Sequence, residues 1–160
     1  MALLNDGRYG HHALGSELGL SLLRSPTWPD PLADEGTQDV AYALLPHNGG
    51  LVEGGVLMEA EDLNRPLLAL PVRAGAQGSW RPLVMSGLPL GLGTLKPLED
   101  GGGLLLRAYE PAGARGAVTI DLPAEWTLAA EVDLLEGGAD APSLSFRPFQ
   151  VRSWRLERRR

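Results

Sequence analysis

The sequence predicts an all-β protein, an antiparallel β-sandwich with one short helix. Glycine and proline are frequent, with 21 and 13 of the 160 residues, and these residue types divide a chain into short strands and loops. Most apolar stretches alternate with a period of two, which is typical of half-buried strands. Helical spacing occurs convincingly in one stretch, so we expect little helix.

The N-terminal part begins with a polar motif at residues 5–12, which can present side chains to a ligand. Residues 18–22 then show the strand period. A loop rich in Pro and Asp follows over residues 25–37, and residues 40–44 alternate again before Pro46 stops the strand. This order indicates a polar loop carried on a β-scaffold.

The predicted helix follows residue 55 and ends before Pro66, because a proline disfavours helix at the residue before it. Its apolar residues recur at helical spacing and its acidic residues form the outer face. The apolar set is Val56, Leu57, Ala60 and Leu63, and the acidic set is Glu59, Glu61 and Asp62. A helix this short must be held by packing rather than by intrinsic propensity.

The C-terminal part begins with a loop over residues 73–80 and continues as short strands. Asp100–Gly103 is a turn signal between two of them. The predicted strands lie near residues 83–85, 93–98, 104–109, 118–122, 128–134 and 144–146. From about residue 95 onward, these short strands with turn signals between them predict a small sandwich.

The alternation of inward and outward side chains is predicted to change phase at Pro148. This change turns Phe149 and Val151 inward, and a second change brings in Trp154 and Leu156. Such phase changes are typical of β-bulges.

Composition excludes several classes of function. The chain has no cysteine, which removes disulfides, thiolate zinc sites and cysteine nucleophiles, and agrees with a cytoplasmic location. The net charge of −6 argues against nucleic acid as a partner, and the basic run 158–160 is interpreted as a solvated tail. No apolar run reaches the ~20 residues that span a bilayer, so no membrane partner is expected. The chain begins abruptly before its polar motif, without a signal peptide, as a piece of a longer protein would.

Few residues are placed to carry chemistry. Asp6 lies inside the polar motif and is a candidate carboxylate, although Asn5 and Asp6 can equally cap a turn through bonds to the backbone. Adjacent side chains of a strand point to opposite faces, so His11 and His12 cannot easily share one metal ion. His47 stands apart from both in the sequence. We therefore expect no metal site in this chain.

Four aromatic residues are candidates for stacking on sugar rings: Tyr9, Trp28, Tyr42 and Trp80. Trp28 and Trp80 lie in predicted loops. Partial packing at the ends of strands remains the alternative for them.

An ordered set of motifs covers nearly the whole chain and resembles the C-terminal β region of the glycoside hydrolase family 38 α-mannosidases, of the bacterial and cytosolic-vacuolar type. The matching pieces are Leu4–Gly10, Leu20–Pro26, Pro29–Gly36, Tyr42–His47, Glu59–Ala60, Leu63–Leu67, Leu95–Lys96, Glu99–Asp100, Leu106–Glu110, Val132–Glu136 and Phe146–Val151. Many relatives carry Cys-Lys where this chain has Gly7-Arg8, so the cation is kept and the thiol is not.

The resemblance implies a domain organisation and a function. Residues 1–92 would finish a galactose-mutarotase-like β-supersandwich, and residues 93–160 would form a small C-terminal β-sandwich. The intact enzyme would hydrolyse terminal α-mannosides with retention, through a covalent glycosyl-enzyme. Its zinc ion, its Asp nucleophile and its acid/base carboxylate would lie in an N-terminal catalytic domain whose segments this chain does not match. We therefore expect no catalytic residue and no cofactor here, an inactive isolated chain, and the catalytic domain as its partner.

The Asn5–Tyr9 loop would approach the sugar and shape its pocket. Together with the aromatic argument above, this gives the predicted substrate-binding residues Asn5, Asp6, Arg8, Tyr9 and Trp28. Two alternatives remain: a stand-alone carbohydrate-binding β-sandwich using Trp28, Trp80 and Tyr9, and a structural or oligomerisation module. Because residues 1 to 90 would have lost partner strands, exposed edges are expected to make the chain self-associate.

Overall fold

The computed structural model describes residues 1–72, 75, 78–79 and 81–159. Contacts within the chain form two compact units, Met1–Val72 and Arg73–Arg160. The predicted loop over residues 73–80 falls largely outside the described residues, and so does Trp80. The predicted boundary at residue 92 of the intact protein stays a prediction. Within the described ranges, no helix has the length and apolar character that a membrane span requires.

The first unit contains four short strands and the helix. They are β1 (Ala2–Asn5), β2 (His11–Leu14), β3 (Glu17–Leu20), β4 (Tyr42–Leu45) and α1 (Val56–Asn64). β1 pairs antiparallel with β4, and β2 pairs antiparallel with β3, as two separate two-stranded sheets. The predicted helix is confirmed in place, and it lies against β1. β1 was not predicted, because four residues are too few to show a period.

α1 begins without a side-chain cap. Gly55 precedes it in the left-handed conformation, with φ of 66°, which a residue without Cβ adopts at little cost. Val56 is buried, the other predicted apolar residues of the helix are half-buried, and Glu59 and Asp62 are exposed. The predicted amphipathic pattern is therefore present, although the helix is held mainly through one buried side chain.

The second unit is a two-layer antiparallel sandwich, which is the predicted fold class. Its strands are β5 (Val84–Gly87), β6 (Gly91–Pro97), β7 (Leu104–Tyr109), β8 (Gly116–Asp121), β9 (Trp126–Val132), β10 (Ser145–Phe146) and β11 (Val151–Arg158). One sheet has the order β6-β7-β11-β9 and the other β10-β8-β5. Both sheets supply the central core, which consists of Leu106, Ala108, Val118, Phe146, Trp154 and Leu156.

The predicted inward turn of Phe149 and Val151 is wrong. Phe149 is 71% exposed and lies in a turn before β11, where its φ is 56° and the Gln150 N–H donates to the Arg147 carbonyl. Val151 is also exposed, whereas Trp154 and Leu156 are buried as predicted. The register shift of β11 lies further along, between Arg155 and Leu156 on the β9 side. A turn, and not a bulge at Pro148, therefore changes the phase.

Candidate functional site

The polar loop between β1 and β2 is organised by its own side chains. The Asn5 side-chain oxygen accepts a hydrogen bond from the Gly7 N–H at 2.9 Å, which closes a turn two residues long, as Asx residues commonly do. Gly7 itself has φ of 109°, a conformation that strains any residue with a Cβ. Asn5 therefore builds the turn rather than presenting a free amide.

Asp6 fastens this turn to the segment that precedes β4. Its Oδ2 accepts from the Ala41 N–H at 2.9 Å, and its own N–H donates to the Ala41 carbonyl at 3.1 Å. These two bonds extend the β1–β4 ladder by one step. They join residues that are 35 positions apart in the sequence. The Asp6 carboxylate thus has a structural contact, of the kind that the turn-capping alternative predicts.

Arg8 completes the same attachment. Its guanidinium donates to the Asp39 carbonyl at 3.2 Å, and its Nε lies 3.9 Å from Asp6 Oδ1. The structure therefore brings together three of the predicted binding residues, Asn5, Asp6 and Arg8, on the two segments 5–8 and 39–41.

Two further residues hold the loop, and sequence reasoning missed both in this role. The Asn64 side-chain N–H₂, at the end of α1, donates to the Asn5 carbonyl at 3.0 Å and to the Ala60 carbonyl at 2.9 Å. The Asn5 side-chain N–H₂ lies 2.8 Å from His11 Nε2. Because Asn5 donates there, His11 Nε2 accepts, and its lone pair is occupied. No sequence signal points to the Asn64 bond, which joins residues 59 positions apart.

The two predicted aromatic binding residues are presented to solvent. Tyr9 is 95% exposed and Trp28 is 83% exposed. Trp28 lies in the loop before β4, where the Ser25 N–H donates to Asp34 Oδ2 at 2.6 Å. Among the described residues, no hydrogen bond or ring contact joins Trp28 to the Asn5–Tyr9 loop. Tyr9 is thus the aromatic residue that belongs to the loop itself.

The histidines do not converge. His11 is engaged by Asn5, and the His12 ring covers Gly19 so closely that a Cβ there would lie 1.9 Å from it. His47 lies two residues after the end of β4, and its buried Nδ1 has no hydrogen-bond partner among the described residues. Over the same residues, no group of three His, Asp or Glu side chains is placed to hold a metal ion.

Among the described residues of the second unit, one carboxylate is buried, that of Glu110, and it ties two turns together. Its oxygens accept from the N–H groups of Ala112 at 2.9 Å, Gly113 at 2.8 Å and Phe149 at 2.9 Å. Burial alone would raise the pKa of Glu110, but the backbone N–H donors of Phe149, Ala112, Ala114 and Gly113 bring that pKa below its ordinary value. All the donors are backbone groups of the same chain, so this carboxylate is structural.

Ion pairs on the surface of the second unit are also structural. Arg155 bonds Asp100 and Glu157, each at 2.9 Å. The Gly102 N–H and then Arg155 lower the pKa of Asp100 below its ordinary value. Arg152 pairs with Glu131, whose second oxygen accepts from the Ser143 N–H. These charged side chains are engaged in holding strands and loops of the second unit together. The Asn5–Tyr9 loop of the first unit is therefore the candidate functional site.

Two family models match the chain. The model described as "Glycosyl hydrolases family 38 C-terminal domain" matches residues 1–32, and the model described as "Glycosyl hydrolases family 38 C-terminal beta sandwich domain" matches residues 90–154. The first includes the candidate loop. The second includes β6 to β10 and the first half of β11, and it begins after β5.

Curated alpha-mannosidases match the chain, some of them over nearly its whole length. Alpha-mannosidase 2C1 of Homo sapiens is 40% identical over 166 residues, which cover 96% of this chain. Alpha-mannosidase G of Dictyostelium discoideum is 31% identical over 98% of the chain, and the alpha-mannosidase of Saccharomyces cerevisiae is 44% identical over 38% of it. The chain spans 16% of the length of the human and Dictyostelium proteins. These matches confirm the resemblance found in the sequence: the chain belongs to glycoside hydrolase family 38 and corresponds to its C-terminal β region.

Proposed function

We propose that this chain is the non-catalytic C-terminal part of an α-mannosidase that hydrolyses terminal α-mannosides, and that it supports the sugar site and the catalytic domain. The observation that carries the proposal is that the Asn5–Tyr9 loop is held rigidly by its own polar side chains and exposes one aromatic ring. Its polar side chains are used to fix the loop, while the Tyr9 ring points into solvent. A loop fixed in this way can hold an aromatic face against the apolar C–H patch of a sugar without itself reacting.

The expected partner is the catalytic domain of the same enzyme. The first unit leaves many large apolar side chains uncovered, among them Leu14, Leu32, Tyr42, Leu44, Leu51 and Met58. We expect these uncovered side chains to contribute to the interface with that domain. In this proposal the zinc ion and the reacting carboxylates belong to that partner domain, and no residue of this chain is assigned to them. The cytoplasmic location stays a prediction.

An activity assay tests this role. The chain alone, with added zinc, is expected to leave an aryl α-mannoside intact, whereas the chain joined to the catalytic domain of a family 38 α-mannosidase is expected to cleave it. In the joined protein, Tyr9→Ala removes a ring contact worth about 1 kcal/mol and is expected to lower kcat/KM by about fivefold. Phe149→Ala, at an exposed position of the second unit, is the matched control for a general loss of exposed aromatic surface. Turnover by the isolated chain that disappears in Asp6→Asn would overturn the proposal.

A second candidate is a stand-alone carbohydrate-binding module. The observation in its favour is the high exposure of both Tyr9 and Trp28, since such rings stack on sugars. Titration of mannose into the isolated chain distinguishes the two roles. Heat that is lost in both Tyr9→Ala and Trp28→Ala supports independent binding, and the absence of heat at millimolar sugar removes this candidate.

A further inference from the structure

Asn48 is followed by Gly49 in the exposed segment between β4 and α1. An asparagine side chain can be attacked by the backbone nitrogen of the next residue, and glycine offers the least steric resistance to that attack because it has no Cβ. Among the described residues, no hydrogen bond engages the Asn48 carboxamide or the Gly49 N–H. Both reacting groups are therefore unoccupied and reachable by water.

The rest of this segment is held in place around the pair. The Gly50 N–H donates to Glu53 Oε2 at 3.1 Å, the Gly54 N–H to the Gly50 carbonyl at 2.9 Å, and the Val56 N–H to the Leu51 carbonyl at 3.0 Å. The Gly49 N–H is passed over by this network. Gly49 also adopts φ of 74°, in the left-handed region.

The other asparagines of the chain are in the opposite situation. Asn5 uses both its oxygen and its amide, and the N–H that follows it donates to the Ala41 carbonyl. Asn64 donates twice through its amide, and the Arg65 N–H donates to the Glu61 carbonyl at 2.7 Å. In each case both the target and the attacking nitrogen are engaged.

The two Asp-Gly pairs, which can form the same cyclic imide, are protected in the same way. In Asp6-Gly7 the Gly7 N–H donates to Asn5, and Asp6 accepts from Ala41. In Asp100-Gly101 the Gly101 N–H donates to the Leu98 carbonyl at 3.0 Å, and Asp100 is held by Gly102 and Arg155. Among the described Asn and Asp-Gly sites, Asn48-Gly49 is therefore the one whose side chain and following N–H are both free of hydrogen bonds.

We propose that Asn48 is a site of spontaneous deamidation and isomerisation in the folded protein. The Gly49 nitrogen loses its proton and forms a bond to the Asn48 side-chain carbonyl carbon, the bond to the side-chain nitrogen breaks, and ammonia leaves with that proton. Water then adds to either carbonyl of the resulting succinimide, and one ring C–N bond opens. The products are aspartate and isoaspartate, each with one additional negative charge, and isoaspartate carries the main chain through the side-chain carbon just before the turn that leads into α1.

The test uses the full chain in mildly alkaline buffer made with ¹⁸O-labelled water, followed by proteolysis and tandem mass spectrometry. Aspartate and isoaspartate, each carrying one labelled oxygen, are expected at position 48, with Asn5, Asn64, Asp6 and Asp100 unchanged over the same period. A synthetic peptide of residues 44–53 provides the unstructured reference. Because an exposed segment needs no unfolding to react, the rate in the chain is expected to lie within about threefold of the rate in the peptide.

Asn48→Gln is the control variant, since its longer side chain would close a less favourable ring. Its labelled product at position 48 is expected to vanish while the circular dichroism spectrum stays unchanged. A rate more than about tenfold below that of the peptide would show that the folded segment blocks attack and would overturn the proposal. Labelling at Asn5, Asn64, Asp6 or Asp100 as fast as at Asn48 would overturn it as well. Neither result bears on the proposed role in an α-mannosidase.

Discussion

Trp154 in the second unit is completely buried, whereas Trp28 in the first unit is almost completely exposed. The same contrast holds for the units as wholes. In the described residues, the first unit buries the apolar side chains of Leu4 and Val56, and the second buries a core shared by two sheets. A two-stranded sheet is marginally stable alone, and the first unit contains two of them. The second unit thus has a core of the kind that an independent domain needs. The first unit exposes apolar side chains that a packing partner would cover.

The difference also shows how polar groups are used. The first unit is joined across long sequence distances by exposed hydrogen bonds, such as Asp6 to Ala41 and Asn64 to Asn5. The second unit places a fully buried carboxylate, Glu110, among backbone donors. Exposed bonds contribute little because water competes for both partners, whereas a buried acceptor must be satisfied. Stability of the isolated chain should therefore reside in the second unit.

The largest effect is expected from Trp154→Ala. The ring packs edge-on against Phe146, with centroids 5.9 Å apart, and its N–H donates to the Ser143 carbonyl at 3.2 Å. Truncation leaves a cavity between the sheets and is expected to cost about 3–5 kcal/mol of unfolding free energy. Trp28→Ala, the matched control, should change it by less than about 0.5 kcal/mol. Urea unfolding followed by circular dichroism measures both, and equal effects would contradict the contrast between the units.

Acid sensitivity sharpens the comparison at Glu110. Its folded-state pKa lies below the ordinary value of 4.5, so its contribution is present above that value and is lost as the pH falls through the folded-state pKa. Urea midpoints measured from neutral pH to well below 4.5 should therefore fall. In Glu110→Gln the chain is expected to be less stable at neutral pH, and this part of the pH dependence should disappear. Glu125→Gln, at an exposed position of the same unit, should keep it.

Self-association tests the uncovered surface of the first unit. The isolated chain is expected to form dimers or larger species at high concentration, because Tyr42 and Leu44 leave one face of β4 apolar and exposed. Leu44→Glu should shift the mass toward the monomer, whereas Leu135→Glu, at an exposed site of the second unit, should not. Size-exclusion chromatography with light scattering gives the mass. A clean monomer of the unchanged chain at high concentration would contradict the expectation.

Local periodicity was sufficient to predict much of this architecture. The helix over 56–64 follows from four apolar residues at helical spacing, and β7 and β9 follow from alternation over six or seven residues. Phe149 was misplaced because alternation assumes an unbroken strand, and a turn with positive φ interrupts it. The period of a pattern reports backbone geometry only while that geometry continues.

The residues of the candidate site could be predicted from the sequence, but the long-range hydrogen bonds that hold them could not. The run Asn5-Asp6-Gly7 signals a turn by itself, because Asx side chains bond to nearby backbone groups. Its attachments to residue 41 and residue 64 depend on chain segments that meet only in the fold. The exposure of Tyr9 likewise depends on which neighbours are absent around it, and no local pattern encodes that.

The smallest effect is expected at Asn64, and it isolates how the loop is held. Asn64→Ala removes the donor to the Asn5 carbonyl, an exposed bond worth about 1 kcal/mol, so α1 should release the end of β1 while the second unit keeps its stability. Asn64→Asp should disturb the loop more, because a carboxylate would face the two carbonyl oxygens of Asn5 and Ala60. Asp62→Ala, on the same helix and exposed, is the control. Amide hydrogen exchange should rise in residues 5–9 for both Asn64 variants and not for Asp62→Ala. Unchanged exchange in all three would mean that Asp6 and Arg8 fix the loop without help from the helix.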